Sequence, residues 1–353
     1  MKIGSKNIGI NYPTYFIADI AANHDGDLNR AVDLIHLCAE AGADVAKFQH
    51  FNASEIVSDY GFKKLSNLDS HQSKWNKSVF ETYQDASVPA DWTEVLIEEC
   101  RKAKIDFFSS PYDFKSVDML NAFDVQAHKI GSGDITWHQI IHHIGKSKKP
   151  VFIATGASTL TEVESAISIL RSYDIPICVM QCNTNYTADK ENFKFINLNV
   201  LNKYKSLFPD LVLGLSDHTP GHSTVLGAVT LGARAIEKHF TDSNDRNGPD
   251  HKFSLNPKAW KEMVDRTREL EFSLGEENKK IENNEKETSI LQRRCIRLNK
   301  DLKKGHCLKE EDMTFLRPAP IGSIKPYEVE NILNKELKIN KSSGDFLKYE
   351  DFK

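Results

Sequence analysis

The chain has 353 residues, of which 40% are hydrophobic and 27% charged, a balance that favours a folded core over an intrinsically disordered chain. Its formal net charge of −4 and its pI near 6.4 give no electrostatic reason to expect nucleic-acid binding. No stretch approaches the roughly 18 consecutive apolar residues of a membrane span, and the first residues lack the apolar core of a signal peptide. We therefore expect a cytoplasmic protein that binds neither nucleic acid nor membrane.

Short β-branched segments alternate with amphipathic segments over the first three quarters of the chain. This alternation is typical of βαβ units, which build parallel sheets. Eight strands are predicted, at 15–21, 45–50, 106–110, 127–131, 151–155, 177–183, 212–216 and 235–240. Helical periodicity is clearest at 28–41, 91–103, 160–173, 197–208 and 257–274. Eight such units predict an α/β fold, a (β/α)8 TIM barrel over residues 1–274.

Polar residues stand at the end of every predicted strand. They are Asp19 with Asn23 and His24, Lys47 with Gln49, Ser109 with Ser110, Lys129 with Ser132 and Asp134, Thr155, Gln181 with Asn183, Ser216 to His218, and Glu237 to His239. Active sites of TIM barrels lie at the carboxyl ends of the strands, so we expect these side chains to meet at one mouth. Any one of them alone would more often be a satisfied polar residue at a strand end. Eight together favour an active site.

Two histidines follow the last two predicted strands, His218 in LGLSDHTPGH and His239 in AIEKHFT. They reach the same rim of the sheet and could share one cation, with Asp217, Glu237 and Asp250 close to the same ends. Two imidazoles with waters suit manganese, iron, cobalt or zinc better than magnesium or calcium, which prefer oxygen ligands. The alternative is that each histidine only bonds backbone or carboxylate groups.

An insertion without clear periodicity separates the second and third predicted strands, at 52–89. It is rich in Ser, Asn, His and aromatic residues, including Tyr60, His71, Gln72, Trp75 and Tyr83. Long irregular loops are often lids over a site. The alternative is a surface ornament that packs Trp75 and Phe80 on a helix.

A charged segment at 275–288 predicts a linker, and a small second domain is expected at 289–353. The domain contains a faint repeat, 305–312 against 344–351, which predicts two similar turns in one compact unit. About 65 residues bury only a marginal core, so we expect this unit to pack on a barrel, its own or a partner's. Within it, Arg317 stands in FLRPAP, where the prolines restrict the directions of the guanidinium.

These motifs resemble the sialic acid (N-acetylneuraminate) synthase family, whose members condense phosphoenolpyruvate with an N-acylated hexosamine to a nonulosonic acid. The resemblance covers nearly the whole chain, and its C-terminal part resembles the family's antifreeze-like SAF domain, a small α+β fold. It rests on ANHDG at 22–26, KFQ at 47–49, SSP at 109–111, KIGSGD at 129–134, ATG at 154–156, GLSDHT at 214–219, EKHFT at 237–241, GPD at 248–250 and RPA at 317–319.

The resemblance implies a role for each candidate residue. The catalytic set would be Asp19, Lys47, Lys129 and Asp134. Phosphoenolpyruvate would be bound by Lys47, Lys129, Ser132, Asn183, Thr184 and Ser216. The sugar would contact Gln49, Ser110, Tyr186, Asp250 and, from a neighbouring subunit, Arg317. A divalent cation, typically Mn²⁺ with Mg²⁺ or Co²⁺ as alternatives, would be held by His218 and His239, and the family forms domain-swapped homodimers.

Two residues depart from the family pattern, because Asp19 and Asp134 stand where Glu is usual. Each loses about 1.5 Å of reach, the length of one carbon–carbon bond. We expect an unphosphorylated N-acyl hexosamine as substrate, either ManNAc or a diacetamido sugar as in legionaminic or pseudaminic acid synthases. Two other classes stay open: a Schiff-base pyruvate aldolase that uses Lys47 or Lys129, and a non-catalytic carbohydrate- or ice-binding protein, which would leave the barrel residues unexplained.

Overall fold

The computed structural model describes residues 1–65, 72, 75 and 77–353, which fold as two compact units, Met1–Gly275 and Glu276–Lys353. In the first unit, eight parallel strands close into a barrel, which confirms the predicted TIM barrel. An antiparallel hairpin precedes them, formed by β1 (Lys2–Ile3) and β2 (Lys6–Asn7). The barrel strands are β3 (Tyr15–Asp19), β4 (Val45–His50), β5 (Asp106–Pro111), β6 (His128–Ile130), β7 (Val151–Ala154), β8 (Ile177–Cys182), β9 (Val212–Asp217) and β10 (Ala235–His239).

Eleven α-helices of this unit lie within its described residues. They are α1 (Leu28–Glu40), α2 (Ala53–Ile56), α3 (Asp59–Lys64), α4 (Val79–Ala86), α5 (Trp92–Lys102), α6 (Phe114–Ala122), α7 (His138–Lys146), α8 (Leu160–Arg171), α9 (Val200–Leu207), α10 (Ser223–Thr230) and α11 (Pro257–Leu274). The periodicity singled out α1, α5, α8, α9 and α11 but not α6, α7 or α10. In α10 the sequence STVLGAVT contains no charged residue, and periodicity cannot separate such a short run from a buried strand.

The predicted strand ends agree with the structure to within two residues. The largest difference is at β3, which ends at Asp19, because residues Ala21–His24 turn into a 3₁₀ helix with Ala21 at a φ of 45°. This turn carries the chain over the mouth of the barrel. The insertion at 52–89 is partly helical rather than irregular, since α2, α3 and α4 lie in it. Of its residues named above, His71 lies outside the described residues.

The interior of the barrel is filled at the amino ends of the strands. Ile3 and Ile8 of the hairpin region pack in one apolar cluster with Tyr15, Phe108 and Phe152. A second, larger cluster joins the outer faces of the strands to the helices. Because apolar side chains occupy the amino end, the carboxyl end is where the barrel can hold a cavity.

The second unit contains a short helix, α12 (Lys286–Leu291), and an antiparallel pair of strands, β11 (Cys295–Leu298) and β12 (Met313–Leu316). Helix α12 and a 3₁₀ turn at Asn283–Glu285 begin within the segment predicted to be a linker. The unit has its own apolar core, and the described residues contain no helix that could cross a bilayer.

The internal repeat of the second unit is a repeat of structure. Each copy has a glycine at positive φ, 91° at Gly305 and 87° at Gly344, and each ends in a 3₁₀ turn. In both turns an aspartate accepts a hydrogen bond from the backbone N–H three residues earlier, at 2.9 Å for Asp312 and 2.8 Å for Asp351. The two similar turns predicted from the repeat are therefore present.

Candidate active site at the carboxyl end of the barrel

A cavity of about 590 Å³ opens at the carboxyl ends of the barrel strands. Its wall includes most of the residues predicted for the site: Asp19, Lys47, Gln49, Lys129, Ser132, Asp134, Thr184, Tyr186, Ser216, His218, His239 and Asp250. They come from six different strands or the loops that follow them. The closed barrel therefore brings together side chains that are more than two hundred residues apart in sequence.

Two lysines and two carboxylates form the floor of the cavity. Lys47 donates to Asp19 at 2.6 Å, and Lys129 donates to Glu237 at 2.7 Å. The second oxygen of Glu237 lies 3.9 Å from Lys47, so this carboxylate stands between the two ammonium groups. Ser216 also donates to Glu237, at 3.0 Å. All five side chains are buried. Two ammonium groups, each paired with a carboxylate, therefore lie at the bottom of the cavity.

Burial and pairing oppose each other in the pKa values of these groups. Burial alone would lower the pKa of Lys47, but the carboxylates of Asp19 and Glu237 outweigh it and raise that pKa. Burial alone would raise the pKa of Glu237, but Lys129 and Lys47 outweigh it and lower that pKa. The pKa of Asp19 is lowered in the same way, since Lys47 offsets the effect of burial. The floor is therefore held as ion pairs.

The two histidines face each other above this floor, with ring centroids 5.3 Å apart. His218 Nδ1 donates to the backbone carbonyl of Asn183 at 3.0 Å, which leaves Nε2 as the nitrogen with a lone pair. His239 lies between two carboxylates, with Nε2 3.5 Å from Asp19 and Nδ1 3.5 Å from Asp250. Burial, reinforced by His239, lowers the pKa of His218 to about 4, so its ring is neutral.

This arrangement fits a divalent cation with two protein ligands. A neutral imidazole is the ligating form of histidine, and a second-sphere bond such as that of His218 to the Asn183 carbonyl fixes its tautomer. Burial would lower the pKa of His239, but Asp19 and Asp250 outweigh it and raise that pKa, so a cation would displace a proton from this ring. The described residues contain no group of three or more His, Cys, Asp or Glu side chains arranged to hold a metal. A cation here would therefore take its remaining ligands from water or substrate.

Hydroxyl groups line the wall beside Lys129. Ser132 accepts a hydrogen bond from the N–H of Gly156 at 3.0 Å. A Cβ atom on Gly156 would lie 1.9 Å from Thr184 Oγ1 and 2.9 Å from Ser132 Oγ. Only glycine lets these two hydroxyls come so close to the backbone. The result is a small polar cradle next to a lysine, the kind of site that suits a phosphate or carboxylate group.

The opposite wall carries amide, phenol and carboxylate groups. Gln49 donates to Asp19 at 3.0 Å, and the ring of Tyr186 packs against His218 with centroids 4.3 Å apart. Asp250 accepts from the backbone N–H of Ala22 at 3.3 Å. These side chains present several hydrogen-bonding groups to one face of the cavity.

The loop that carries Asp250 is clasped to the turn after β3. His251 lies 3.0 Å from Asp25 through Nε2 and 2.7 Å from Thr241 through Nδ1, and it is fully buried. A Cβ atom on Gly248 would lie 2.6 Å from the His251 ring, so the NGPDH segment requires glycine there. The clasp fixes where Asp250 enters the cavity.

Residues of the insertion complete the rim. Phe51, Ile56, Trp75 and Tyr83 line the cavity, as does Tyr112 from the end of β5. The rings of Phe51 and Tyr83 are 5.5 Å apart, and those of Trp75 and Tyr83 are 6.4 Å apart. The described part of the insertion therefore forms an aromatic wall of the site, which supports the lid interpretation over that of a surface ornament.

The residues expected at the mouth that do not line the cavity include Asn23, His24, Ser109, Thr155, Gln181 and Asp217. Three residues with roles implied by the resemblance are also placed differently. Ser110 stands behind Lys47, 3.4 Å from its ammonium group, and does not line the cavity. The side-chain amide of Asn183 donates to the backbone carbonyl of Phe195 at 3.3 Å. The backbone carbonyl of Asn183 accepts the hydrogen bond that orients His218. Arg317 belongs to the second unit, where its side chain is exposed.

Two residues of the site had no role assigned from the sequence. The alternation of β10 predicts that Glu237 shares a face with His239 at the barrel mouth, and Glu237 lines the cavity. Its contacts with both lysines are not predicted by the sequence. Tyr112 was not named, yet a Cβ atom on Gly131 would lie 2.8 Å from its hydroxyl.

Family models, related sequences and solved structures all match this chain. Residues 34–279 match the NeuB family, and residues 293–353 match the SAF domain. The chain is 35% identical to N,N'-diacetyllegionaminic acid synthase of Campylobacter jejuni over 89% of this chain and 93% of that protein. It is 32% identical to pseudaminic acid synthase of Helicobacter pylori over 87% of this chain and 88% of that protein. A crystal structure of N-acetylneuraminic acid synthetase from Leptospira borgpetersenii superimposes with a TM-score of 0.72 and 29% identity, over 82% of this chain and 94% of that one.

Proposed function

Because the chain belongs to the NeuB family, we propose that it condenses phosphoenolpyruvate with an unphosphorylated N-acyl hexosamine to give a nonulosonic acid and phosphate. The sugar is ManNAc or a related diacetamido sugar, as the names of its legionaminic and pseudaminic acid synthase relatives suggest. The observation that carries the proposal is the buried floor of Lys47 and Lys129 beneath the facing histidines.

Phosphoenolpyruvate carries a carboxylate and a phosphate, and the floor and hydroxyl wall match both. Lys47 and Lys129 supply charge, while Ser132, Thr184 and Ser216 supply hydroxyl donors beside them. Asn183 lies at the end of the same wall. Charge-assisted hydrogen bonds in a buried site fix an anion more firmly than they do in water. Asp19 and Glu237 hold the lysines charged until the substrate arrives.

His218 and His239 would hold a divalent cation, with Mn²⁺ preferred over Mg²⁺ because imidazole is a poor ligand for Mg²⁺. Co²⁺ is an alternative with the same ligand preference. When bound, such an ion supplies Lewis-acid polarisation of a carbonyl oxygen. Asp19 and Asp250, each 3.5 Å from His239, flank the position.

The reaction balances with one water molecule. A bond forms between C3 of phosphoenolpyruvate and the aldehyde carbon of the open-chain sugar, whose oxygen becomes a hydroxyl. Water adds at C2 and loses a proton, and phosphate then leaves as the C2 ketone forms. Asp19 and Asp134 would hold that water and its proton, which is supported by their position in the wall of the same cavity.

The sugar occupies the remaining wall, where Gln49, Tyr186 and Asp250 offer hydrogen bonds, and Ser110 acts behind Lys47. Among the described residues that line the cavity, Lys47 and Lys129 are the only lysine or arginine side chains. Both are assigned to phosphoenolpyruvate, so the described lining of the cavity has no other cationic side chain that could bind the phosphate of a phosphorylated sugar. This supports an unphosphorylated sugar.

A Schiff-base aldolase is disfavoured by the state of the lysines. Such an enzyme needs a neutral amine as nucleophile. Lys47 is ion-paired at 2.6 Å with a raised pKa, and Lys129 is ion-paired at 2.7 Å. Lys47 is therefore held as an ammonium ion, and the Lys129 amine is occupied by the Glu237 carboxylate, so neither is free to attack a carbonyl.

Arg317 would complete the site from a second copy of the chain, in a domain-swapped homodimer. Near Arg317, the side chains of Phe315, Leu316 and Ile321 are 38%, 46% and 86% exposed. An arginine among exposed apolar side chains is typical of an interface. This arginine would contact the N-acyl group of the sugar.

Phosphate release across a panel of sugars tests the proposal. The panel contains ManNAc, ManNAc phosphate and diacetamido-trideoxyhexoses, each with phosphoenolpyruvate and Mn²⁺. The ratio of kcat/KM between ManNAc and the diacetamido sugars should shift in the Asp19→Glu/Asp134→Glu variant, because specificity is a difference in transition-state binding. An unchanged ratio would mean that these carboxylates do not select the sugar. A preference for the phosphorylated sugar would contradict the proposed substrate.

A further inference from the structure

A buried ion pair lies directly behind the two facing histidines. Asp217 precedes His218 in β9, and Lys238 precedes His239 in β10. The two residues are register partners in the sheet, and Lys238 donates to Asp217 at 2.6 Å. Their side chains are about 1% exposed or less. The pair thus joins the two strand ends that present the imidazoles.

Neither residue faces the cavity. Side chains alternate along a strand, so Ser216 and Glu237 point to the inside of the barrel while Asp217 and Lys238 point away from it. The cavity lining includes Ser216, His218, Glu237 and His239 but neither member of the pair. A direct contact of Asp217 or Lys238 with substrate is therefore ruled out by position.

The hydrogen bonds of the pair fix the backbone that follows His218. The Asp217 carboxylate accepts from the N–H of Thr219 at 3.1 Å, from its hydroxyl at 2.8 Å and from the hydroxyl of Thr224 at 2.7 Å. Lys238 donates a second bond to the carbonyl of Thr219 at 2.5 Å. Thr224 lies in the first turn of α10, so the network ties that helix to both strands. The residues before and after His218, Asp217 and Thr219, are therefore both held by hydrogen bonds.

Stability alone does not account for such a pair. Removing two charges from water costs several kcal/mol for each ion, and well-packed apolar residues are often as stabilising as a buried ion pair. An apolar pair does not form directional contacts. Hydrogen bonds do, and they can fix the position of the backbone to within a fraction of an ångström. We propose that the Asp217–Lys238 ion pair is a positioning device that fixes the His218 and His239 imidazoles relative to each other for cation binding. The proposal rests on the proposed use of these histidines.

The test compares single and double variants that remove the pair. Asp217→Asn and Lys238→Met each leave one buried group without its partner and should lower Tm strongly. The double variant removes both charges and should recover most of the lost Tm. Its affinity for Mn²⁺, measured by electron paramagnetic resonance without substrates, should stay about tenfold weaker than that of the wild type, the loss typical of second-sphere changes.

The control is a second, partly exposed ion pair at the other end of the barrel. Lys6 donates to Asp44 at 2.6 Å, and Asp44 also accepts from the backbone of Phe16 at 2.8 Å. Lys6→Met/Asp44→Asn should change Tm without changing the Mn²⁺ affinity. If the double variant at 217 and 238 also kept wild-type Mn²⁺ affinity, the pair would be only structural and the proposal wrong.

A second readout separates positioning from metal binding. Nitrogen-15 NMR of the metal-free protein reports the Nδ1–H tautomer that His218 adopts with the Asn183 carbonyl. Loss of this signal in the double variant supports the positioning role, whether or not the wild type binds Mn²⁺. Failure of the wild type to bind Mn²⁺ would contradict the metal site and not the positioning role. If the wild type binds no Mn²⁺, an unchanged signal in the double variant would overturn the proposal on its own. If the double variant does not fold, Lys238→Arg replaces it in the test. This variant keeps the positive charge with a different geometry, so it should fold and still bind Mn²⁺ more weakly than the wild type.

Discussion

Burial alone raises the pKa of Asp134 to about 6, unlike the paired carboxylates on the cavity floor. Asp19 and Glu237 have lysine partners that lower their pKa values, so they stay ionised over the physiological range. Asp134 instead changes its charge close to neutral pH. At the scale of single residues, one cavity therefore contains carboxylates with fixed charge and one carboxylate that titrates.

The titration of Asp134 predicts a pH dependence. If its ionised form serves catalysis, kcat/KM for the sugar should fall as the pH drops through about 6, because kcat/KM reports groups of the free enzyme. Asp134→Asn should lower kcat/KM and remove this limb of the profile. Asp33→Asn, on the exposed face of α1, serves as the control and should leave the limb in place. A wild-type limb retained in Asp134→Asn would assign it to another group.

The same raised pKa has a consequence for stability. A carboxylate whose pKa is raised on folding costs stability once it ionises, so the loss develops as the pH rises from the usual Asp value to about 6. Asp134→Asn should therefore have a higher Tm than the wild type at pH 8 and a smaller difference at pH 4. An equal difference at both values would exclude this origin.

The close packing at Gly156 predicts a defect in phosphoenolpyruvate binding. Gly156→Ala places a Cβ atom 1.9 Å from Thr184 Oγ1 and 2.9 Å from Ser132 Oγ, so both hydroxyls must move. We expect KM for phosphoenolpyruvate to rise about tenfold, equivalent to about 1.4 kcal/mol, with a smaller change in KM for the sugar. Gly9→Ala, where the nearest atom would be 3.9 Å away, is the control. Equal changes in both KM values would argue against a cradle for this substrate.

Single residues of the site differ in how far the sequence could predict them. Lys47, Lys129 and the two histidines could be predicted, because each stands at the end of an apolar strand and strand ends meet at the barrel mouth. The role of Glu237 could not, because it depends on distances to Lys129, 108 positions away, and to Lys47 across the barrel. Pairwise distances across a closed sheet are set by register and strand tilt, which a sequence pattern does not give.

At the scale of elements, side-chain hydrogen bonds fix the loop that follows the last barrel strand. The segment after β10 is held by His251, which bridges Asp25 and Thr241, and by Arg30, which donates to Asp242 at 2.6 Å and 3.0 Å. These bonds connect the last barrel loop to the first. The predicted strands and long helices agree with the structure because periodicity reports burial, whereas the clasp and the helices of the insertion depend on contacts between loops.

The clasp predicts a selective effect on the sugar. Gly248→Ala places a Cβ atom 2.6 Å from the His251 ring and should displace the loop that carries Asp250. We expect KM for the sugar to rise with little change in KM for phosphoenolpyruvate, the reverse of Gly156→Ala. Steady-state kinetics with each substrate varied in turn measures both. If Gly248→Ala raised only KM for phosphoenolpyruvate, Asp250 would not belong to the sugar wall.

At the scale of the whole molecule, the chain consists of a catalytic barrel and a small second unit with its own core. The barrel supplies every proposed site residue except Arg317. The repeat of the second unit could be predicted from the spacing of Gly305 and Gly344, since turns need local sequence only. Which barrel Arg317 serves depends on assembly, and the sequence pattern of one chain does not determine assembly.

Mixing two inactive variants tests the proposed domain-swapped dimer. Arg317→Ala and His239→Ala should each have little activity alone. After mixing and subunit exchange, about a quarter of wild-type activity should return, because about half of the dimers are mixed and each holds one intact site. No recovery despite heterodimers shown by mass spectrometry would mean that Arg317 acts in its own chain or not at all.

The most direct test of the proposed reaction is the stoichiometry of its products. With phosphoenolpyruvate, an N-acyl hexosamine and Mn²⁺, one phosphate should be released for each nonulosonic acid detected by mass spectrometry. EDTA should stop both phosphate release and formation of the acid. The variants His218→Ala and His239→Ala should also stop both, provided that circular dichroism shows that they remain folded. His36→Ala, an exposed histidine of α1 that pairs with Glu99, should leave both unchanged. Formation of the acid from pyruvate without phosphate release, together with borohydride trapping on Lys47 or Lys129, would contradict the proposed reaction.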